Sequence, residues 1–364
     1  MKKNLLIILT VFLFFNYSNV FAKDTSHSSI VMDMDSGRIL YDNNKDDQAL
    51  IASTTKIMTA IIAIENKNLN DIVTIGDEVL PMYGSNIYLE VGEKISLKDL
   101  LYGLILRSGN DAAVAIAKYV GGSEDKFVQM MNSKAKKIGM KNTIFNNSHG
   151  LDEKTENYST AYDMAKLMIY ANKLIEFVEI SGTEKWNVTT NKKAYSWKNR
   201  NKIITKYKYA TGGKTGFTPR AGKTLVSTAS KNNLNLVAVT LNDPNHYDTQ
   251  IELYENVYSK YHSEKIIDKK TFFVNNSNYD ELYVNYNFSY PLKNGELNKI
   301  KKNIDLYDLK EYKNNQKVGE IYITFDNQEI YRENIYAKKY EKKRIGLLDR
   351  VLNFFHSLFW KYLL

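Results

Sequence analysis

Apolar and polar positions fall into blocks that predict a definite order of elements. Ser29–Met34 and Arg38–Tyr41 read as two short strands around the turn Asp35-Ser36-Gly37. Over Thr54–Glu65 the residues Ile57, Ala60, Ile61 and Ile64 recur at helical spacing, which predicts a helix with a buried face. Leu97–Leu106 predicts a second apolar helix, broken by Arg107-Ser108-Gly109-Asn110. Asp111–Tyr119 resumes it with closely spaced alanines, and Glu124–Ile138 and Thr160–Asn172 read as further helices. Strands return at Thr224–Ala229 and Leu234–Leu241, around the polar turn Lys231-Asn232-Asn233. A hairpin, a helical block and returning strands predict an α+β layout, an antiparallel sheet completed from both chain ends and flanked by helices.

The pattern changes from about Lys265. Thr271–Val274, Leu282–Asn285, Asn303–Leu306 and Glu320–Phe325 are short strand-like runs separated by turn-rich pieces, which predicts a small all-β, sandwich-like module. Beyond Lys338–Arg344, with five basic residues against one acid, Leu347, Leu348, Val351, Leu352, Phe354, Phe355, Leu358 and Phe359 repeat at helical spacing. That predicts an amphipathic helix lying on a membrane surface. At the other end, Lys2 and Lys3 precede an apolar run from Leu5 to Phe15, polar residues, and Val20-Phe21-Ala22. This is the order of an export signal cleaved after Ala22, and the run is short for a membrane span. The expected units are 1–22 (signal), 23–263 (the α+β unit), 264–340 (β module) and 341–364 (anchor), with the working protein at the outer face of the cytoplasmic membrane or in the cell wall.

Composition adds little to this layout but excludes several chemistries. The 364 residues are 43% hydrophobic and 25% charged, as in globular proteins, and include no cysteine, so thiolate catalysis, disulfides and cysteine metal sites are ruled out. His246 and His262 are too isolated to suggest a metal site, and no cofactor is called for. The formal charge of +9 falls to +7 without residues 1–22. The basic residues are scattered and no nucleic-acid motif accompanies them, so an anionic lipid or wall polymer is the expected partner and nucleic acid is not.

Candidate chemistry begins with Ser53-Thr54-Thr55-Lys56, at the start of the first predicted helix. Residues i and i+3 share a helix face, so a desolvated Lys56 amine can take the proton of Ser53, a weak nucleophile without a base. Ser108-Gly109-Asn110 lies 55 residues on, in the break between two helices, and Lys214-Thr215-Gly216, read as a loop, lies 106 residues further. Each is common alone. The ordered set S-x-x-K, S-x-N, K-T-G is not.

These motifs resemble those of the penicilloyl-serine transferases, and more closely those of exported D-alanyl-D-alanine carboxypeptidases, the low-molecular-weight penicillin-binding proteins. The resemblance extends to Val31-Met32-Asp33 through Gly37-Arg38-Ile39-Leu40-Tyr41, to Leu97–Leu104 running into Ser-Gly-Asn-Asp-Ala-Ala, and to His149-Gly150-Leu151-Asp152 and Tyr158–Ala165. It implies a β-lactamase/transpeptidase-like catalytic domain acting on peptidoglycan stem peptides that end in D-Ala-D-Ala, with β-lactams as inhibitors. By the same likeness Ser53 attacks the terminal peptide carbonyl with unprotonated Lys56 as base. Ser108 relays a proton to the leaving D-alanine, and Asn110 holds Lys56 and the substrate. Lys214 and Thr215 meet the substrate carboxylate, beside Gly216, and the amides of Ser53 and Phe217 form an oxyanion hole.

Two departures accompany the likeness. No arginine occurs in Asn242–Gln250, where many relatives carry one that assists carboxylate recognition, and Phe217 stands where histidine or tyrosine is common. His149 is read as a loop-positioning residue, and Glu153 and Glu156 as solvated loop acids. The rival functions are a β-lactamase and a wall-binding protein with little turnover.

Overall fold

The structure of the protein, a computed structural model, describes residues 24–275 and 278–340. The expected signal at 1–22 and helix at 341–364 lie outside the described residues. The chain divides into two compact units between Ser263 and Glu264.

The first unit is built on a five-stranded antiparallel sheet in the order Ile39–Asn43, Ser28–Asp33, Leu234–Leu241, Gly222–Lys231, Ala210–Thr218. Its first strand pairs with its last sequential one, Val31 opposite Ala238, so the two ends of the unit close on each other. Successive residues face opposite sides of a strand. Ile30, Met32, Val237 and Val239 therefore join a large apolar cluster with the helical block, while Val31, Leu225, Leu236 and Ala238 join a second cluster with Tyr254 and Val257. Those two residues belong to the helix His246–Lys260, which covers the other face and which the periodicity of its tyrosine-rich segment did not signal.

The helix Lys56–Asn66 runs through the middle of the helical block and is buried from Lys56 to Ala63. A 3₁₀ turn, Ala52–Thr55, leads into it, with the Thr54 and Thr55 hydroxyls donating to the carbonyls of Ile51 and Ala52 at 2.5 and 2.8 Å. Leu97–Leu106 starts at Ser96, whose oxygen accepts the Asp99 amide at 3.0 Å, an N-cap that satisfies one otherwise orphan donor. After the break the chain resumes as Asn110–Gly121 and Glu124–Lys137, and Ala161–Ala171 packs against the sheet.

Two corrections concern this unit. Lys214-Thr215-Gly216 is not a loop but part of the edge strand Ala210–Thr218, where Gly213 and Gly216 allow neighbouring backbone to approach too closely for a side chain. The hairpin Lys185–Thr189/Ala194–Lys198 was not foreseen. Beyond its own pairing it is anchored by Trp186, stacked on Tyr102 at 3.8 Å, and by the Tyr195 hydroxyl, which donates to buried Glu93 at 2.8 Å.

The second unit holds the pair His262–Ile267/Phe288–Leu292 and a four-stranded antiparallel sheet in the order Glu281–Tyr283, Gln328–Lys338, Gln316–Phe325, Ile300–Leu306. Its core contains Ile266, Leu292, Val318, Ile323 and Ile335. The strand expected at Thr271–Val274 does not form. The segment opens with a turn, Thr271 N to Asp268 O at 3.2 Å, and Phe273 projects into solvent, so its alternation meets no pairing strand.

Candidate active site

Ser53 sits in the 3₁₀ turn under backbone pressure from two sides. Ala52 adopts φ +46°, a conformation that an alanine pays to hold. A Cβ on Gly150 (φ +89°) would fall 2.0 Å from the Ala52 carbonyl oxygen, and one on Gly216 would fall 2.9 Å from the Ser53 amide. Only glycine permits this packing, and it fixes the turn between a loop and the edge strand.

One turn into the helix, the Lys56 amine is fully buried and faces three oxygens: Ser53 Oγ at 3.0 Å, Asn110 Oδ1 at 2.7 Å and the His149 carbonyl. Burial, and then the charge of Lys214, push its pKa well below the ordinary lysine value. A neutral amine has two N–H donors and one lone pair. Asn110 Oδ1 and the His149 carbonyl can only accept, so they take the two donors, and the lone pair is left for the Ser53 hydroxyl proton. Position and ionisation thus agree on a base aimed at Ser53.

The partners of Lys56 are themselves held. Asn110 donates through Nδ2 to Tyr83 O and through its backbone amide to Ser85 O, both at 2.7 Å, which ties the helix start to the 82–89 segment. Asp111 steadies that segment by accepting the amides of Ile87 and Leu89 at 3.0 and 3.1 Å. The loop carrying the His149 carbonyl is fixed by Asn147 Oδ1, which accepts the Gly150 amide at 2.6 Å, and by Glu124, which accepts the Ser148 amide at 2.7 Å. His149 Nδ1 accepts the Leu151 amide at 3.0 Å, and burial followed by the Lys56 charge lowers its pKa to about 3. The ring is a neutral loop brace, as expected.

Ser108, with φ +62°, accepts from Lys214 Nζ at 3.0 Å, and the same amine donates to Thr215 O at 2.6 Å. Burial, and then the charge of Arg200, lower the Lys214 pKa to about 7. Thr215 and Phe217 lie on the other side of the edge strand from Lys214 and Gly216, and Phe217 is 63% exposed. The three motifs therefore surround one cleft of about 390 Å³, lined by Ser53, Ser108, Thr215, Gly216 and Phe217. Lys56, Asn110 and Lys214 lie buried around it. All eight residues singled out in the sequence come together here.

Several others were not foreseen. Arg200 lines the cleft and donates to Ser85 Oγ at 2.6 Å, and Lys223, His246 and Tyr247 line it too. None stands in a motif, and no spacing reveals an arginine that follows an unforeseen hairpin. Glu156 is ion-paired with Arg220 and accepts from Tyr158, while Glu153 is bonded to the Tyr83 hydroxyl. Both acids are thus committed elsewhere rather than merely solvated. Among the described residues no Asp or Glu lines the cleft.

Comparison with known proteins agrees with this geometry. Residues 18–245 match the family described as D-alanyl-D-alanine carboxypeptidase, and 256–343 match the C-terminal domain of penicillin-binding protein 5. D-alanyl-D-alanine carboxypeptidase DacF of Bacillus subtilis is 32% identical over 342 residues, 88% of this chain and 87% of that protein. DacC of Escherichia coli is 37% identical over 58% of this chain and 55% of its own. Penicillin-binding protein 5 of Haemophilus influenzae superposes with a TM-score of 0.70 at 27% identity, covering 87% of this chain and 97% of that one. The chain belongs to the D-alanyl-D-alanine carboxypeptidases, serine hydrolases of the low-molecular-weight penicillin-binding protein group.

Proposed function

We propose that Ser53 carries the acyl-enzyme of this DD-carboxypeptidase and that Lys56 is its base. The observation that supports this best is the buried Lys56 amine, whose two fixed acceptors leave a lone pair for the Ser53 proton. As Ser53 Oγ attacks the carbonyl of the terminal D-Ala-D-Ala bond, its proton passes to Lys56 Nζ. The oxyanion meets the amides of Ser53 and Phe217, each donor contributing about 3 kcal/mol in sites of this kind. Asn110 keeps Lys56 oriented. Ser108, bonded to Lys214, relays this proton: its hydroxyl gives its own proton to the departing D-alanine nitrogen and takes up the one held by Lys56, which is left neutral again. Lys214 and Thr215 attract the substrate carboxylate, and the open edge of the Ala210–Thr218 strand offers backbone groups to an extended stem peptide. Water, deprotonated by the same Lys56, then attacks the acyl carbonyl, and the proton passes from Lys56 to Ser53 Oγ as the shortened peptide leaves.

This assignment favours a carboxypeptidase over a β-lactamase. A penicilloyl group keeps its leaving portion in the cleft, and among the described residues no carboxylate lines that cleft to activate water past it. The test is intact-protein mass after exposure to benzylpenicillin. The expected result is a long-lived adduct of one penicillin on Ser53, absent in Ser53→Ala. Rapid loss of the adduct with catalytic penicillin hydrolysis contradicts it.

We further propose export with cleavage after Ala22 and attachment of the carboxy-terminal helix to the outer face of the membrane. The support is the sequence alone: Lys2-Lys3 before an apolar run, and basic Lys338–Arg344 before an amphipathic one. Truncation after Tyr340 is expected to free the protein from anionic liposomes. Binding that survives truncation contradicts the anchor.

A further inference from the structure

The cationic residues on the cleft wall have not all been given work. Arg200 belongs to the Ser108 side: it donates to Ser85 and its backbone amide bonds Leu106 O at 2.9 Å. Lys223 belongs to the opposite side, on the strand Gly222–Lys231. In the antiparallel register Lys223 lies directly across from Phe217, and Thr215 is two residues before Phe217. Cross-strand partners and residues two apart share a face, so Thr215, Phe217 and Lys223 form one row. The diagonal step between Thr215 and Lys223 is about 7–8 Å, within the span of a lysine side chain.

The amine itself points back to the loop that follows the third strand. Lys223 Nζ donates to Pro244 O at 2.9 Å and is bound to no carboxylate among the described residues. Pro244 lies in Asn242–Gln250, the segment without an arginine. The loop thus lacks a cation of its own, yet an ammonium from the neighbouring strand occupies its surface, exposed and with donors to spare. The remaining walls at this end are the rings of His246 and Tyr247, packed at 4.1 Å, and Phe217. Burial, followed by the Lys223 charge, lowers the His246 pKa, so that ring favours its neutral form. Lys206 also reaches the Tyr247 ring but is paired with Asp248 at 3.6 Å, so among the residues lining the cleft Lys223 is the cation on the Phe217 side without a carboxylate partner.

We propose that Lys223 reads the terminal carboxylate of the substrate, supplying from the sheet the charge that the 242–250 loop does not carry. The inference rests on the carboxypeptidase reading of Ser53 and adds to it a specificity residue. A lysine that only ties the strand to Pro244 has no means of telling an acid from its ester.

The test compares benzylpenicillin with its methyl ester, as rates of adduct formation by intact mass, in the mature protein, Lys223→Met and Lys223→Arg. D-alanine release from diacetyl-L-Lys-D-Ala-D-Ala supplies KM alongside. A charge-assisted contact of this kind predicts that Lys223→Met lowers the acid-over-ester preference by about tenfold or more and raises KM, with Lys223→Arg retaining most of the preference. Equal slowing of acid and ester, or no change in either, overturns the proposal while leaving the Ser53 reading intact. An adduct that still forms in Ser53→Ala overturns both.

Discussion

Lys56 Nζ and Asn110 Oδ1 are 2.7 Å apart, on two different helices and both withdrawn from solvent. The contact fixes the amine while leaving its charge unsupported, because an amide oxygen attracts a proton far less than a carboxylate does. Asn110→Asp replaces that neutral acceptor with an anion of nearly the same shape. It raises the Lys56 pKa and favours the ammonium form. Acylation by penicillin near neutral pH is expected to fall on the order of a hundredfold, with the acid limb of the pH profile moved to higher pH. A loss that is the same at every pH identifies a steric cause and contradicts the account.

The wild-type pH profile follows from the two lysines. Lys56 must be neutral to accept a proton, and burial and the Lys214 charge keep its pKa far below the ordinary value. Lys214 serves best with its charge, and its pKa is about 7. Falling pH protonates Lys56, while rising pH discharges Lys214. The kcat/KM profile is therefore bell-shaped, with the alkaline limb setting in near pH 7 in the free enzyme. Substrate carboxylate favours the charged amine, so the same limb lies higher in the kcat profile. Lys214→Arg removes a titrating group from this position, and the alkaline limb is expected to disappear. A limb that persists unchanged belongs to another group.

Gly150 is a stability prediction at the centre of the site. Gly150→Ala places a methyl group 2.0 Å from the Ala52 carbonyl at φ +89°. The new Cβ meets a backbone carbonyl there, and neither atom can rotate away. The expected cost is about 2–4 kcal/mol in urea unfolding, with loss of penicillin acylation because Ala52 precedes Ser53. Unfolding within about 0.5 kcal/mol of wild type, the range of neutral surface changes, contradicts it.

Asp111 tests whether the 82–89 wall is held from below. Its carboxylate accepts the buried amides of Ile87, Leu89 and Ala112. Asp111→Ala strands these donors and is expected to cost about 2–4 kcal/mol. Asp111→Asn keeps one acceptor oxygen and is expected to cost roughly half as much. Equal stability of the two variants contradicts the hydrogen-bonding explanation.

The sequence revealed most where local chemistry and tertiary need coincide. Ile57, Ala60 and Ile61 follow helical periodicity and are buried in the central helix, and Val31, Leu225 and Leu236 occupy strands as expected. The three motifs were legible because their residue types are scarce in combination. What stayed hidden depends on contacts between distant segments. Lys214-Thr215-Gly216 reads as a loop by composition and becomes a strand only beside Gly222–Lys231. The Trp186 hairpin packs on the ring of Tyr102, 84 residues earlier in the chain, a contact that local patterning does not reveal. The third contact of Lys56 is a backbone carbonyl, that of His149, which no side-chain pattern can announce.

Cleavage of the terminal D-Ala-D-Ala bond by Ser53, with Lys56 as base, is measured as D-alanine released from diacetyl-L-Lys-D-Ala-D-Ala by the mature protein, Ser53→Ala and Lys56→Met, with folding of each checked by thermal unfolding. Steady release is expected from the wild type and none above background from either folded variant. Release that persists in Ser53→Ala, or a folded wild type that releases no D-alanine, contradicts this mechanism.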